Sequence, residues 1–259
     1  MRTMLRDIEA IFFDWGGTLV QVSRQTLAWV EGAERAARHL FATGLAPSDS
    51  AIQDLLDILH DMQTRAYQPP DHREVELATV LAAWLKKLGA AKPTPELLSR
   101  LEELFWSPWT DCLDVLPDVI PTLEALQQRG YRLAVVSNVM APPAYCRQQL
   151  DRLGLSSHFE ATTFSSGVGH RKPDPRIYRA ALDAMARVGR PVASEQTLFV
   201  GDIPLYDVAP PQKLGMRTAL VKNDQTEAHW APQDYQVQSD LTITHVRELL
   251  EHLPARGEA

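Results

Sequence analysis

The sequence predicts an α/β fold in which a doubly wound parallel sheet carries an inserted all-helical domain. From residue 118 onwards, short apolar runs alternate with amphipathic helical segments, and several runs end in polar residues. This alternation is typical of a Rossmann-like parallel sheet. Between residues 21 and 113 the apolar residues instead recur at helical spacing, with no strand pattern between them. We therefore expect an α/β core formed by residues 1–20 and 114–259, and a helical domain formed by residues 21–113.

The individual elements follow from periodicity and from the turn residues that bound them. Apolar runs predict strands at residues 10–13, 131–136, 159–165, 197–200, 217–221 and 241–243. Helical periodicity, with closing glycines at Gly130, Gly154 and Gly215, predicts helices at residues 27–40, 50–62, 75–88, 95–105, 118–129, 143–153, 176–188, 207–214 and 246–253. Asp207 is expected to open its helix.

The composition limits the classes of function. The chain has 259 residues, a formal net charge of -7 and two cysteines, neither of them in a CxxC pair. An acidic chain without a long lysine- and arginine-rich run is not expected to bind nucleic acid. Its apolar stretches are too short to span a bilayer, and two isolated cysteines are typical of a reducing compartment. We therefore expect a cytoplasmic protein that acts on or binds a small molecule, with no membrane partner.

The stretch after the first strand carries the first candidate site. A buried strand at residues 10–13 is followed by Asp14, Trp15, Gly16, Gly17 and Thr18. A parallel strand delivers the residue at its carboxyl end to the crevice where open α/β sheets bind ligands. A carboxylate there can act as a nucleophile or a metal ligand, and the glycines allow a charged substrate to approach the backbone. Taken alone, Asp14 is equally well explained as the cap of the following turn.

Further polar residues follow the later strands, and together they suggest phosphoryl transfer. They are Ser137 and Asn138, Lys172, and Asp202 with Asp207. Asp14 would attack phosphorus, while Lys172 and the Ser137 hydroxyl would hold the oxygens on which charge develops. Asp14 and Asp202 would supply oxygen ligands for Mg²⁺. Asp207 would support that site.

With these motifs in this order, the chain resembles the haloacid dehalogenase superfamily of phosphohydrolases over nearly its full length. The motifs are Asp14–Thr18, Leu133–Asn138, Lys172–Pro175, and Gly201–Asp202 with Asp207. The resemblance implies a Mg²⁺ ion held by Asp14, Asp202 and the backbone carbonyl of Gly16. It also implies an aspartyl-phosphate at Asp14, a helical cap that closes over the site, and a small phosphorylated metabolite as substrate. Phosphate binding is implied for Trp15, Gly17, Thr18, Ser137, Asn138 and Lys172.

One position departs from the family pattern. Most phosphatases of the family carry an acid/base aspartate two residues after the nucleophile, where this chain has Gly16. A positioned acid/base group contributes about 10²–10⁴-fold to a rate. Besides a phosphatase, two alternatives therefore stay open: a phosphate-binding module with impaired turnover, or a C–P hydrolase resembling phosphonoacetaldehyde hydrolase. The latter would use a lysine of the cap, for which Lys86, Lys87 and Lys92 are the candidates. The metal-free dehalogenase branch is disfavoured, because Gly201–Asp202 resembles a metal site.

Overall fold

The computed structural model describes residues 5–42, 44, 50–66, 72–90, 93–222 and 237–256. The chain divides into two compact units. One unit comprises Met1–Gln21 with Val115–Ala259, and the other comprises Val22–Asp114. The function of the second unit as a cap stays a prediction.

A six-stranded sheet forms the centre of the first unit. Its strands lie in the order β5-β4-β1-β6-β7-β8, and every neighbouring pair is parallel. The predicted α/β fold with a parallel sheet is therefore confirmed. The strands are β1 Ala10–Phe13, β4 Arg132–Ser137, β5 Ala161–Phe164, β6 Thr197–Gly201, β7 Arg217–Val221 and β8 Leu241–Ile243.

The central strands are apolar on both faces because helices cover both. Successive side chains of a strand point to opposite faces, and all four residues of β1 are buried. The core on one face is made of residues from β1, β4 and β6 that pack with the helix over Pro175–Val188 and its neighbours, including Phe12, Val136, Phe199, Ile177, Tyr178 and Met185. This packing holds β1, β4 and β6 in place, and with them the positions of their carboxyl ends.

The helices of this unit follow the predicted alternation, with two exceptions. They are α5 Val119–Gln128, α6 Pro143–Arg152, α7 Ser165–Val168, α8 Pro175–Val188 and α9 Ala209–Lys213. The first exception is α7, which was not predicted and begins at Ser165, a residue predicted to end a strand. The second is the segment after β6, where a π-helical turn over Pro204–Val208 precedes α9. Asp207 therefore lies inside a helical turn that begins at Pro204, and its prediction as the first residue of the helix is wrong. The segment over Val246–Glu251, predicted as a helix, is a 3-10 helix.

The second unit contains α1 Gln25–Ala42, α2 Ala51–Ala66, α3 Leu77–Lys87 and α4 Pro95–Trp106. Small residues on the buried face of α1 allow α4 to approach closely. A Cβ at Gly32 would come within 2.3 Å of the carbonyl oxygen of Phe105. The indole of Trp29 packs on Phe105, Trp106 and Trp109, at ring-centroid distances of 5.5, 5.7 and 4.7 Å.

Among the described helices of the chain, none has the length and apolar character needed to cross a bilayer.

A short ribbon that the sequence did not predict marks the passage of the chain between the units. It pairs β2, Val20–Val22, with β3, Leu113–Val115. The division between the units falls within these two strands.

Candidate active site

The predicted site residues meet at the carboxyl edge of the sheet. Asp14 directly follows β1, Ser137 ends β4 and Asp202 directly follows β6. Since β1 lies between β4 and β6, these three positions are neighbours across the edge. The backbone N–H of Asp14 continues the ladder by donating to the carbonyl of Val200, at 2.9 Å. Parallel pairing thus brings together residues that are far apart in the sequence.

Lys172 is the cation of this site. Its Nζ lies 2.8 Å from Oδ1 of Asp14 and 2.7 Å from Oδ1 of Asp207. The side chain is only 2% exposed, and its Nζ lies 5.4 Å from the centroid of the Phe199 ring. One buried ammonium therefore bridges two buried carboxylates.

The environment shifts the ionisation of both partners. Burial alone would lower the pKa of Lys172, but the carboxylates of Asp14 and Asp207 raise it above its usual value. Burial raises the pKa of Asp207 to about 6, against the opposing effect of Lys172. Lys172 is thus a fixed positive charge at neutral pH, as a group that neutralises a phosphoryl oxygen must be.

Asp202 completes a group of three carboxylates. Oxygens of Asp14, Asp202 and Asp207 all lie within 4.8 Å of one another, and all three residues are buried. The hydroxyl of Thr18 donates to Oδ1 of Asp202, at 3.4 Å. A Cβ at Gly17, where φ is +76°, would come within 2.2 Å of Oδ2 of Asp202. Gly17 therefore supplies both a backbone turn and the space that Asp202 occupies.

Asp207 is held by the turn in which it lies. Its Oδ2 accepts a hydrogen bond from the backbone N–H of Ile203, at 2.9 Å. A Cβ at Gly201 would lie 2.2 Å from the Cγ of Asp207. The glycine at the end of β6 is thus required by the close approach of the Asp207 side chain.

Asn138 contacts Lys172 through its backbone. Its Nδ2 donates to the carbonyl of Lys172 at 3.0 Å, and its Oδ1 accepts from the N–H of Lys172 at 2.7 Å. The side-chain amide therefore pairs with both backbone groups of the lysine, as a neighbouring strand would. These contacts hold the backbone of Lys172 in place, and the phosphate binding predicted for Asn138 stays a prediction.

The remaining predicted residues lie in the turn after Asp14. The carbonyl of Trp15 accepts from the N–H groups of Leu19 and Val20, at 2.9 and 3.0 Å. Gly16 bridges to Val20, and the N–H of Gly17 donates to the carbonyl of Val20 at 2.8 Å. These bonds fix the turn that follows the candidate nucleophile.

Two of the three lysines considered for the C–P hydrolase alternative lie at the end of α3. Lys86 and Lys87 are exposed residues of its last turn. The Nζ of Lys87 is 2.8 Å from Oδ1 of Asp54. Lys92 lies outside the described residues.

Comparison with known proteins gives a family and several relatives. A family model described as haloacid dehalogenase-like hydrolase matches residues 8–215. A glyceraldehyde 3-phosphate phosphatase from Methanopyrus kandleri is 28% identical over 94% of this chain and 96% of its own. A phosphoserine phosphatase from Thermus thermophilus is 31% identical over 65% of this chain and 66% of its own. Among solved structures, a 2-haloacid dehalogenase from Pseudomonas syringae has a TM-score of 0.63 and 26% identity, covering 94% of this chain and 97% of its own.

Proposed function

Because the chain belongs to the haloacid dehalogenase-like hydrolases, as its motifs predicted, we propose that it is a Mg²⁺-dependent phosphohydrolase acting on a small phosphorylated metabolite. One observation carries this proposal. Three buried carboxylates meet at the edge of the sheet around one buried lysine. The proposal extends to the roles of individual residues and to a helical cap formed by residues 21–113.

The composition of the site fits a magnesium ion. Three carboxylates and one ammonium leave a net negative charge, which would repel a phosphoryl dianion unless a cation were added. The available donors are carboxylate and carbonyl oxygens, which suit a hard divalent ion. Asp14, Asp202 and the backbone carbonyl of Gly16 would hold the ion, with Asp207 as a supporting charge. When bound, the ion supplies charge neutralisation at the phosphoryl oxygens.

The proposed reaction assigns a role to each of these side chains. The carboxylate of Asp14 attacks phosphorus, the bond to the leaving oxygen breaks, and an aspartyl-phosphate forms. Since Gly16 supplies no acid, the leaving oxygen takes its proton from solvent. Water then attacks this phosphorus, releasing inorganic phosphate and restoring Asp14. Lys172 and the hydroxyl of Ser137 stabilise the phosphoryl oxygens, together with backbone groups of residues 15–18. Asn138 contributes by holding the backbone of Lys172.

The names of the relatives support the substrate class. The two phosphatases compared above are named for glyceraldehyde 3-phosphate and for phosphoserine, both of which are small phosphorylated metabolites. The solved dehalogenase shares the fold, but the third carboxylate and the lysine bridge are better explained by a phosphoryl group that needs a metal ion.

We expect the purified protein to release inorganic phosphate from an aryl phosphate and from members of a panel of phosphorylated metabolites. The rate should fall to background with EDTA and return with Mg²⁺, because the three carboxylates need a cation before an anion can enter. Phosphate release measured with and without metal checks this, with 2-haloacids as a parallel panel. Halide release without metal, and no phosphate release, would contradict the proposal. Phosphate binding without any turnover would favour the binding module.

The Gly16 position predicts a leaving-group dependence. The substitution Gly16→Asp introduces a carboxylic acid two residues after Asp14. We expect it to raise kcat/KM on alkyl phosphates by about tenfold or more, because these need a proton on the leaving oxygen. For aryl phosphates with good leaving groups, kcat/KM should change little. The control is Gly16→Asn, which has a similar shape but cannot give a proton. Equal effects of the two variants on both substrate types would show that a missing acid does not limit the rate.

A further inference from the structure

Trp15 presents a buried donor that the fold leaves unused. Its side chain is 4% exposed, and among the described residues its Nε1 has no hydrogen-bond partner. Most buried polar groups in proteins are paired, so a buried N–H without an acceptor is unfavourable and needs an explanation. Trp15 also directly follows Asp14, which makes the position of its indole relevant to the site.

The contacts of the ring indicate where the indole lies. Its centroid is 5.8 Å from that of Phe164, at the end of β5. Trp15 itself follows β1, and β4 lies between β1 and β5. Neighbouring strands are about 4.8 Å apart, so the contact between the rings of Trp15 and Phe164 spans the width of β4, which lies between them.

The last residue of β4 is Ser137, which pairs in register with Phe164. The contact between Trp15 and Phe164 is therefore made at the level of the serine whose hydroxyl, in the proposed function, contacts the phosphoryl group. The backbone of Trp15 is fixed by hydrogen bonds that its carbonyl accepts from Leu19 and Val20, at 2.9 and 3.0 Å, and by a longer one from Thr18, at 3.4 Å. The backbone position of Trp15 is thus set by the fold.

We infer that the indole Nε1–H of Trp15 donates a hydrogen bond to an oxygen of the bound phosphoryl group, next to Ser137. The inference rests on the proposed function and adds a side-chain donor to it. In the free protein this N–H makes no hydrogen bond, which is unfavourable. In the complex it would bond to an anionic oxygen, and hydrogen bonds to charged acceptors are stronger than those to neutral ones. Trp15 would then be a phosphate-binding residue through its side chain.

The test compares two substitutions that each remove an indole N–H. In Trp15→Phe the lost donor is the unpartnered one. In the control, Trp84→Phe, the lost donor is satisfied, since Nε1 of Trp84 donates to the carbonyl of Ala51 at 2.7 Å. The affinity for tungstate, an oxyanion analogue of phosphate, is measured by titration calorimetry in the presence of Mg²⁺, and Tm is measured without the oxyanion.

We expect Trp15→Phe to weaken tungstate binding about tenfold. Trp84→Phe should lower Tm and leave tungstate affinity unchanged, which shows that loss of stability alone does not weaken binding. If Trp15→Phe does not fold, Trp15→benzothienylalanine keeps the ring size, lacks the N–H and is expected to show the same loss of affinity. An affinity equal to that of the wild type in the folded variant overturns the inference and leaves the proposed function standing. Failure of the wild-type protein to bind tungstate and to hydrolyse any phosphate ester overturns both.

Discussion

Asp14→Asn is expected to reduce phosphate release by about 10⁴-fold or more. An amide has nearly the same shape as the carboxylate but is a far weaker nucleophile. The fold should survive, since the bond from Lys172 to Asp207 at 2.7 Å is untouched and β1 keeps its pairing with β4 and β6. Steady-state phosphate release, with circular dichroism to confirm folding, checks this expectation.

The covalent intermediate can be tested on the same pair of proteins. Borohydride reduces an acyl phosphate to an alcohol, so wild-type protein quenched during turnover should carry homoserine at position 14, detectable by peptide mass spectrometry. Asp14→Asn provides the control and should show no such product. A variant that retains more than about a tenth of the wild-type rate would show that Asp14 is not the nucleophile.

Lys172→Met is expected to damage both stability and activity. Removing the buried ammonium leaves Asp14 and Asp207 as close, unneutralised carboxylates, and loss of one partner from a buried ion pair costs about 3–5 kcal/mol. Activity should fall by about 10³-fold, because a charge aimed at the phosphoryl oxygens is lost. Urea unfolding of the metal-free protein measures the first effect, and phosphate release measures the second.

A second substitution separates charge from packing. If repulsion between carboxylates causes the loss, then Asp207→Asn in the Lys172→Met background should restore part of the free energy of unfolding, so that the two changes are not additive. Lys172→Arg keeps the charge in a different shape and should retain more stability than activity. Additive losses in the double variant would mean that packing of the lysine stem, and not its charge, stabilises this region.

The sheet and its catalytic edge were predictable because local patterns determine them. The run at Ala10–Phe13 is apolar throughout and ends in a carboxylate, and the predicted and observed bounds of β1 coincide. A parallel sheet then requires that the polar residues following its strands lie at one edge. The positions of Asp14, Ser137 and Asp202 at the ends of strands therefore favoured a common site. Lys172 lies in the loop between α7 and α8, so its place in that site was predicted from the resemblance to the family.

What could not be predicted depends on contacts between distant segments. The bonds from Asn138 to the backbone of Lys172 join residues 34 positions apart, and no local pattern distinguishes an asparagine in that role from one that binds phosphate. The ribbon of β2 and β3 has only three residues in each strand, too few for an alternation to be recognised. Asp207 was misplaced because a capping aspartate and an aspartate inside a π-helical turn have the same local sequence.

The strand order has a consequence for how the protein is made. β1 is synthesised first, but its two neighbours in the sheet are β4 and β6, whose pairing residues begin at Arg132 and Thr197. A ribosome-bound chain that has emerged only as far as α5 thus contains Asp14 but neither the cation nor the other acids that act with it. The proposed site can therefore assemble only after Asp202 and Asp207 have been synthesised, so activity would report on the pairing of β1 with both of its neighbours.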